Sequence, residues 1–283
     1  MTTYRSISNA LMGLCALLLV SCTDKPQTIT ILHTNDTHSQ VYSIDAGKRN
    51  ADCGGYARRM GYIQRQRQAD PDLLLLDAGD FCQGTPYFNF YHGRIEIDAL
   101  NRMGYDVGML GNHEFDYGLD TLATILSMAK FPIVCANYDV QNTPLKGLVQ
   151  PYTILKRKGL RIGVFGIGVN PHSLISTKNF EPIQYLDPLT TAQQIATHLR
   201  HDEHCDIVIC LSHQGTHHEV DSQLSDVEMA AATRDIDVII GAHTHEVVEN
   251  LHVANLDGDS VLLAQTGKSG IRIGKITLRC EKK

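Results

Sequence analysis

Ile31-Leu32-His33-Thr34-Asn35-Asp36-Thr37-His38 runs from an apolar stretch straight into Asp36 and His38, two residue types that bind metals. The same event recurs along the chain. Leu73–Leu76 leads to Gly79-Asp80, and Val107–Leu110 leads to Gly111-Asn112-His113-Glu114. Ile207–Leu211 leads to Ser212-His213, and Val238–Ile240 leads to Gly241-Ala242-His243-Thr244-His245. A short apolar run bounded by Gly or Asp reads as a buried strand. Side chains placed just past strand ends gather at one edge of a sheet, where α/β proteins build their sites. Oxygen and imidazole donors in this proportion suit hard-to-borderline divalent metals.

Outward from these islands, strands and helices alternate. Thr28–His33, Leu73–Asp77, Val107–Leu110 and Pro132–Ala136 are expected strands, with helices over Tyr56–Gln68, Ile95–Met103 and Leu119–Ala129. Tyr152–Leu155 and Arg161–Ile167 flank Lys156-Arg157-Lys158-Gly159 as a β-hairpin with Gly159 in the turn. Its basic tip is expected to be solvated. Pro188–Leu199 reads as a helix. Leu251–Val253, Val261–Ala264 and Ile271–Leu278 read as an antiparallel C-terminal set with a turn at Asp257-Gly258. No repeat and no Pro/Gly/Ser-rich linker divides the chain, so residues 28–283 are expected to form one domain. Helices interleaved with strands and followed by hairpins imply a mixed sheet, or two sheets layered between helices.

The N-terminus reads as an address. Arg5 is the one charge before the apolar segment Leu11–Val20, which has signal-peptide rather than membrane-spanning proportions. Leu19-Val20-Ser21-Cys22 resembles the lipobox of bacterial lipoproteins; the plainer reading is an ordinary signal peptide with an incidental cysteine. The favoured expectation is cleavage after residue 21, lipid on Cys22, a tether over residues 22–27, and a place in the bacterial cell envelope outside the cytoplasm. The net charge of −6 offers nothing to nucleic acid. Cys53, Cys82, Cys135, Cys205, Cys210 and Cys280 show no CxxC pair, so a zinc–cysteine site is not expected, and Cys135 and Cys210 read as small core residues.

Taken singly, each island has a plainer use. Asp after a strand is commonly a turn or cap residue, and a lone His213 is commonly an interior histidine. His243 and His245 alternate on an extended segment and so share a face. Only the recurrence of the islands turns the balance toward metal. His217 and His218, followed by Glu219 and Asp221, sit on an expected loop rim, where substrate contact is the minor reading. His33, His92 and His252 are read as ordinary. Tyr87, Phe88, Phe90 and Tyr91 could line a substrate pocket, but core packing is the expected use.

Together these motifs resemble the calcineurin-like metallophosphoesterase superfamily, and within it the 5′-nucleotidase / UDP-sugar hydrolase family. Gln83-Gly84-Thr85-Pro86, Phe131–Asn137 and Gln265-Thr266-Gly267-Lys268 share in the resemblance. It runs from about Thr28 to the end of the chain. It implies the metallo-dependent phosphatase fold, a four-layer α/β/β/α sandwich with two mixed sheets. It also implies two divalent metal ions, with Zn, Mn, Fe and Ca all compatible with the donors. Asp36, His38 and His245 would hold one metal, Asn112, His213 and His243 the other, and Asp80 would bridge them. The site would carry about +2, attracting a phosphate ester. His113 would face the phosphoryl group, with Asp116 hydrogen-bonded to its ring. Family nucleotidases usually carry a further C-terminal domain that recognises the nucleotide, whereas this sequence stops at Lys283, just after the catalytic domain. The expectation is therefore an exported, lipid-anchored phosphoesterase acting on nucleotides, nucleotide sugars or another phosphate ester. The alternative is a metal-loaded binding subunit that needs a separate nucleotide-recognition protein.

Overall fold

The computed structural model describes residues 27–45, 47–217 and 224–280. The expected leader, Cys22 and the stretch with His218, Glu219 and Asp221 lie outside the described residues. The strands are β1 Gln27–Thr34, β2 Leu74–Asp77, β3 Val107–Met109, β4 Ile133–Val134, β5 Tyr138–Asp139, β6 Val149–Gln150 and β7 Tyr152–Arg157. They continue as β8 Leu160–Ile167, β9 Gln184–Tyr185, β10 Ile207–Ser212, β11 Val238–Ile240, β12 Val247–Ala254, β13 Ser260–Thr266 and β14 Gly274–Cys280. The helices are α1 Tyr56–Ala69, α2 Pro86–Tyr91, α3 Arg94–Met103, α4 Gly118–Leu126, α5 Thr177–Phe180, α6 Pro188–Thr197 and α7 Asp226–Ala232.

Two six-stranded sheets carry the fold, in the orders β14-β1-β2-β3-β4-β6 and β12-β13-β11-β10-β8-β7. Each is mixed. In the first, β1, β2, β3, β4 and β6 are parallel and β14 is antiparallel. In the second, β8, β10, β11 and β13 are parallel and the edges β7 and β12 are antiparallel.

Strand alternation builds the layers. Leu74 and Leu76 join Ile29, Ile31, Val107 and Met109 against Val164, Ile209, Leu211, Val238 and Ile240 between the sheets. Leu73 and Leu75 face the other way, against Ile63 of α1, Ile97 and Leu100 of α3 and Leu122 of α4. Beyond the second sheet, Phe165, Val208, Cys210 and Ile239 pack on Ala192 and Ala196 of α6 and Met229 of α7. The result is an α/β/β/α sandwich. A strand buried on both faces needs an unbroken apolar run, which is why these runs lack polar alternation. Each such side chain contributes about 1.5–3 kcal/mol of burial.

Several expectations need correction. Residues 271–278 do not join an antiparallel C-terminal set. β14 crosses to the first sheet and pairs along β1, with Gln27 opposite Cys280 and His33 opposite Gly274. Its Ile276 thereby enters the inter-sheet core. Only β12 and β13 pair with each other, and β13 lies parallel to β11. The helix expected over Leu119–Ala129 ends at Leu126. The Asn101 side chain takes over there, donating to Met128 O at 2.8 Å and accepting from Lys130 N at 2.7 Å. The 87–91 aromatics form α2, and only Phe88 is buried; Phe90 is 79% exposed. Nor is the hairpin tip wholly solvated. Lys158 and Gly159 make the turn, both at positive φ. Arg157 Nη2 reaches Asp106 at 2.6 Å and Lys158 Nζ reaches Asp70 at 3.1 Å, clasping the first sheet's loops. Cys135 and Cys210 are buried, and all six described cysteines are free thiols.

Candidate metal centre

The topology delivers the islands to one place. β1, β2 and β3 are parallel neighbours, so Asp36, Asp80 and Asn112 leave the same edge of the first sheet. β10 and β11 are parallel neighbours in the second sheet, so His213, His243 and His245 leave the corresponding edge there. Among the described residues two side-chain groups form, each with ligand atoms within 4.8 Å of one another: Asp36, His38 and His245, and Asp36, Asp80 and His213. Asp36 belongs to both groups. His38 Nε2 lies 2.9 Å from His245 Nε2, and His245 Nε2 lies 3.5 Å from Asp36 Oδ1. His213 Nε2 lies 3.2 Å from Asp80 Oδ2 and 3.9 Å from Asp36 Oδ1. The His243 ring stands beside that of His213, with centroids 5.3 Å apart, and its backbone N–H donates to Asp36 Oδ2 at 3.0 Å. Asn112 precedes His113, whose N–H donates to Asp80 Oδ1 at 2.9 Å.

This donor set fits a metal on more than composition. Asn112 Oδ1 is buried and has no hydrogen-bond partner among the described residues. Such an orphaned group costs about 1–3 kcal/mol unless something occupies it. His213 Nδ1–H donates to Ala78 O at 2.9 Å, which orients the ring so that Nε2 faces Asp80 and Asp36. Five of the seven candidate ligands, Asp36, His38, Asp80, His243 and His245, sit at φ between 46° and 73°. Left-handed backbone at non-glycine residues is strained and clusters at functional sites.

Charge is concentrated here. Burial works against ionised Asp80, but the charge and hydrogen bond of His213, with His113 and His38, hold its carboxyl below the usual range. Burial likewise opposes charged His213, and Asp80, Asp36 and the Ala78 carbonyl outweigh it, raising His213 to about 10. Burial and then the charge of His213 lower His243 to about 4. Burial lowers His38, with Asp80 and Asp36 opposing. His113 resists its own burial because the Asp116 hydrogen bond, then the charges of Asp80 and Asp116, lift its pKa. His113 Nδ1–H donates to Asp116 Oδ2 at 3.1 Å.

Two supporting residues escape a reading by residue type. Glu114 accepts from the backbone N–H groups of Asp80, Cys82 and Gly111 at 3.0, 3.0 and 2.6 Å, pinning the β2 and β3 loops together. Burial and Asp80's charge push Glu114 up to about 8, against two of those bonds. Asn35 ties the first loop to the last. Its Nδ2 donates to Asp36 Oδ2 at 2.6 Å and Gly267 O at 2.8 Å, and its Oδ1 accepts from Thr266 N at 2.8 Å. A methyl group on Gly111 would overlap Asp80 Oδ1 and the His213 ring. His217 faces Glu246 at 3.2 Å and takes no part in either ligand group. His33 is buried in β1, His92 lies against the Tyr117 ring, and His252 pairs with Ser260, as ordinary histidines do.

A cavity of about 260 Å³ opens over the cluster, lined by His38, His113, His245, Gln83, Gly84 and Lys268. Histidines and carboxylates massed where two layered sheets present their parallel strand ends define a candidate metal centre on an α/β/β/α sandwich. The calcineurin-like phosphoesterase family matches residues 29–247, and the chain belongs to that family. It is 31% identical over 287 residues to the trifunctional nucleotide phosphoesterase YfkN of Bacillus subtilis, covering 90% of this chain and 18% of that protein. It is 35% identical over 244 residues to the 5′-nucleotidase of Rattus norvegicus, covering 83% and 41%. The crystal structure of a 5′-nucleotidase precursor from Thermus thermophilus superposes with a TM-score of 0.78 at 31% identity, covering 89% of this chain and 51% of that one. The chain thus spans less than half the length of either curated relative.

Proposed function

We propose that this chain hydrolyses phosphate esters, with nucleotides as the substrate class, using two divalent metal ions. The observation that carries the reading is one cavity in which His113, oriented by Asp116, meets candidate ligands from both sheets. Asp36, His38 and His245 would hold one ion, Asn112, His213 and His243 the other, with Asp80 shared between them. Zn, Mn and Fe suit these donors. Once bound, such a pair polarises phosphoryl oxygens and lowers the pKa of water to roughly 7.

The chain's own residues do the rest. Lys268 lines the cavity and adds a cation for an anionic ester. The Asp116 bond raises the pKa of His113 and orients its ring, which is placed to stabilise charge on the phosphoryl group and protonate the departing oxygen. The relatives named as nucleotide phosphoesterase and 5′-nucleotidase support nucleotides as the substrate. The intact His113–Asp116 pair favours catalysis over a binding subunit dependent on a separate recognition protein, because metal retention has no use for it.

Purified protein given Mn²⁺ or Zn²⁺ is expected to hydrolyse p-nitrophenyl phosphate or a nucleoside monophosphate. His113→Ala should lose about 100-fold in kcat and keep its metal content by elemental analysis. No turnover across a broad phosphoester panel with two metals bound would overturn the reading. We further propose anchoring to a membrane through lipid on Cys22, supported by the lipobox-like Leu19-Val20-Ser21-Cys22. Cys22→Ser should abolish labelling by a fatty-acid analogue and release the protein from the membrane fraction.

A further inference from the structure

Two of the chain segments that line the cavity over His38, His113 and His245 run on beyond it. One segment carries His38 and Gln40 and runs on into Val41, Tyr42 and Ser43. The other carries Gln83 and Gly84 and runs on into Thr85, Pro86 and Tyr87. These continuations line a second cavity of about 330 Å³, and Gln40 borders both. The two cavities are therefore neighbours along these segments, with Gln40 between them.

The second cavity is built of rings. Tyr42 is 69% exposed, and its ring centroid lies 5.6 Å from that of Tyr87, with the planes at 63°. The segments that carry them are tied to each other and to the start of α1. Gln40 Nε2 donates to Tyr42 O at 2.7 Å, Thr85 Oγ1 donates to Ser39 O at 2.9 Å, and Tyr56 N donates to Val41 O at 2.9 Å. Asp45 and Lys48, 3.0 Å apart on the rim, offer an acceptor and a donor. An edge-to-face pair leaves ring surface open to a third flat ring, and such stacking contributes roughly tenfold in affinity. Nothing in the metal cluster uses Tyr42 or Tyr87.

We propose that the Tyr42–Tyr87 cavity is a leaving-group subsite that takes the flat heteroaromatic base of a nucleotide whose phosphate lies among His38, His113 and His245. Nucleotide recognition is thereby placed partly on the catalytic domain itself. The inference rests on the phosphoesterase reading for the direction of the substrate, but not for the existence of the ring subsite.

The test has two arms, with circular dichroism confirming the fold of each variant. In the first, adenosine binding to chelator-treated protein is measured by isothermal titration. The wild type binds, Tyr42→Ala and Tyr87→Ala weaken binding roughly tenfold, and Tyr42→Phe keeps it. No binding by the wild type, or equal affinity in the alanine variants, overturns the subsite. In the second, Mn²⁺-loaded protein is given AMP or glycerol 3-phosphate. The alanine variants raise KM for AMP roughly tenfold with kcat within about twofold, and KM for glycerol 3-phosphate does not move. Equal KM changes for both esters overturn the subsite while leaving the phosphoesterase reading intact. Adenosine binding through Tyr42 in a protein that hydrolyses neither ester does the reverse.

Discussion

His245 shows in one residue what the site costs. It is held at φ 55°, a conformation disfavoured by about 1 kcal/mol for a side chain with a Cβ. Glycine would take that conformation without strain, although it frees the unfolded chain. His245→Gly is therefore expected to raise the stability of the metal-free protein by up to about 1 kcal/mol while lowering its metal content. Urea unfolding in chelator, paired with elemental analysis after Mn²⁺ loading, reads both effects. At this scale the candidate ligands were legible because each is a ligand-type residue directly after an apolar run. Asn35 and Glu114 were not. Their side chains bond to backbone atoms of loops far away in sequence, and residue type says nothing of such partners. For Glu114 the available signal was its place within Gly111–Glu114, on the same short turn as Asn112 and His113.

Between elements, Glu114 works as a clip. Three buried N–H donors from two loops converge on one carboxyl group. Glu114→Ala would strand all three, at about 1–3 kcal/mol each where water cannot replace the bond. We expect a loss of at least about 3 kcal/mol in urea unfolding, together with weaker metal retention as the Asp80 loop loosens. Glu114→Gln, which keeps a carbonyl acceptor, should be milder. Strand and helix types were largely legible, since β2, β10 and β11 are apolar runs too short for helices. Partners were not legible. β14 has the composition of any half-buried strand, and only the open edge of β1 decides that it pairs there. The basic hairpin tip misled for the same reason. Arg157 and Lys158 look solvated until Asp106 and Asp70 are brought opposite them by the second sheet packing on the first.

Across the whole molecule, stability should respond to acid through His33. Burial holds its pKa down to about 4. The unfolded chain takes up that proton near pH ~6.5, so lowering the pH through this window favours unfolding. The contribution is fully present above pH ~6.5, and on the order of 3 kcal/mol is lost by the time pH reaches about 4. His33→Phe should flatten the fall in urea midpoint between pH 7 and pH 4.5, measured in chelator so that metal release plays no part. The four-layer plan itself was legible from the alternation of elements and from the family resemblance. The two-sheet division of labour became visible only in the structure, with Asp36, Asp80 and Asn112 on one sheet and His213, His243 and His245 on the other.

The pairing of β14 with β1 has a bearing on synthesis. β1 waits for β14, and the Asp36 loop is fastened by Thr266, Gly267 and the N–H of Ser269, which donates to Asp36 O at 2.7 Å. A nascent chain emerging from the ribosome therefore displays the candidate ligands Asp36 and His38 long before their scaffold exists. The candidate metal centre is completed late, and a premature stop ahead of Gly274 would leave the edge of β1 bare and open to pairing with another molecule.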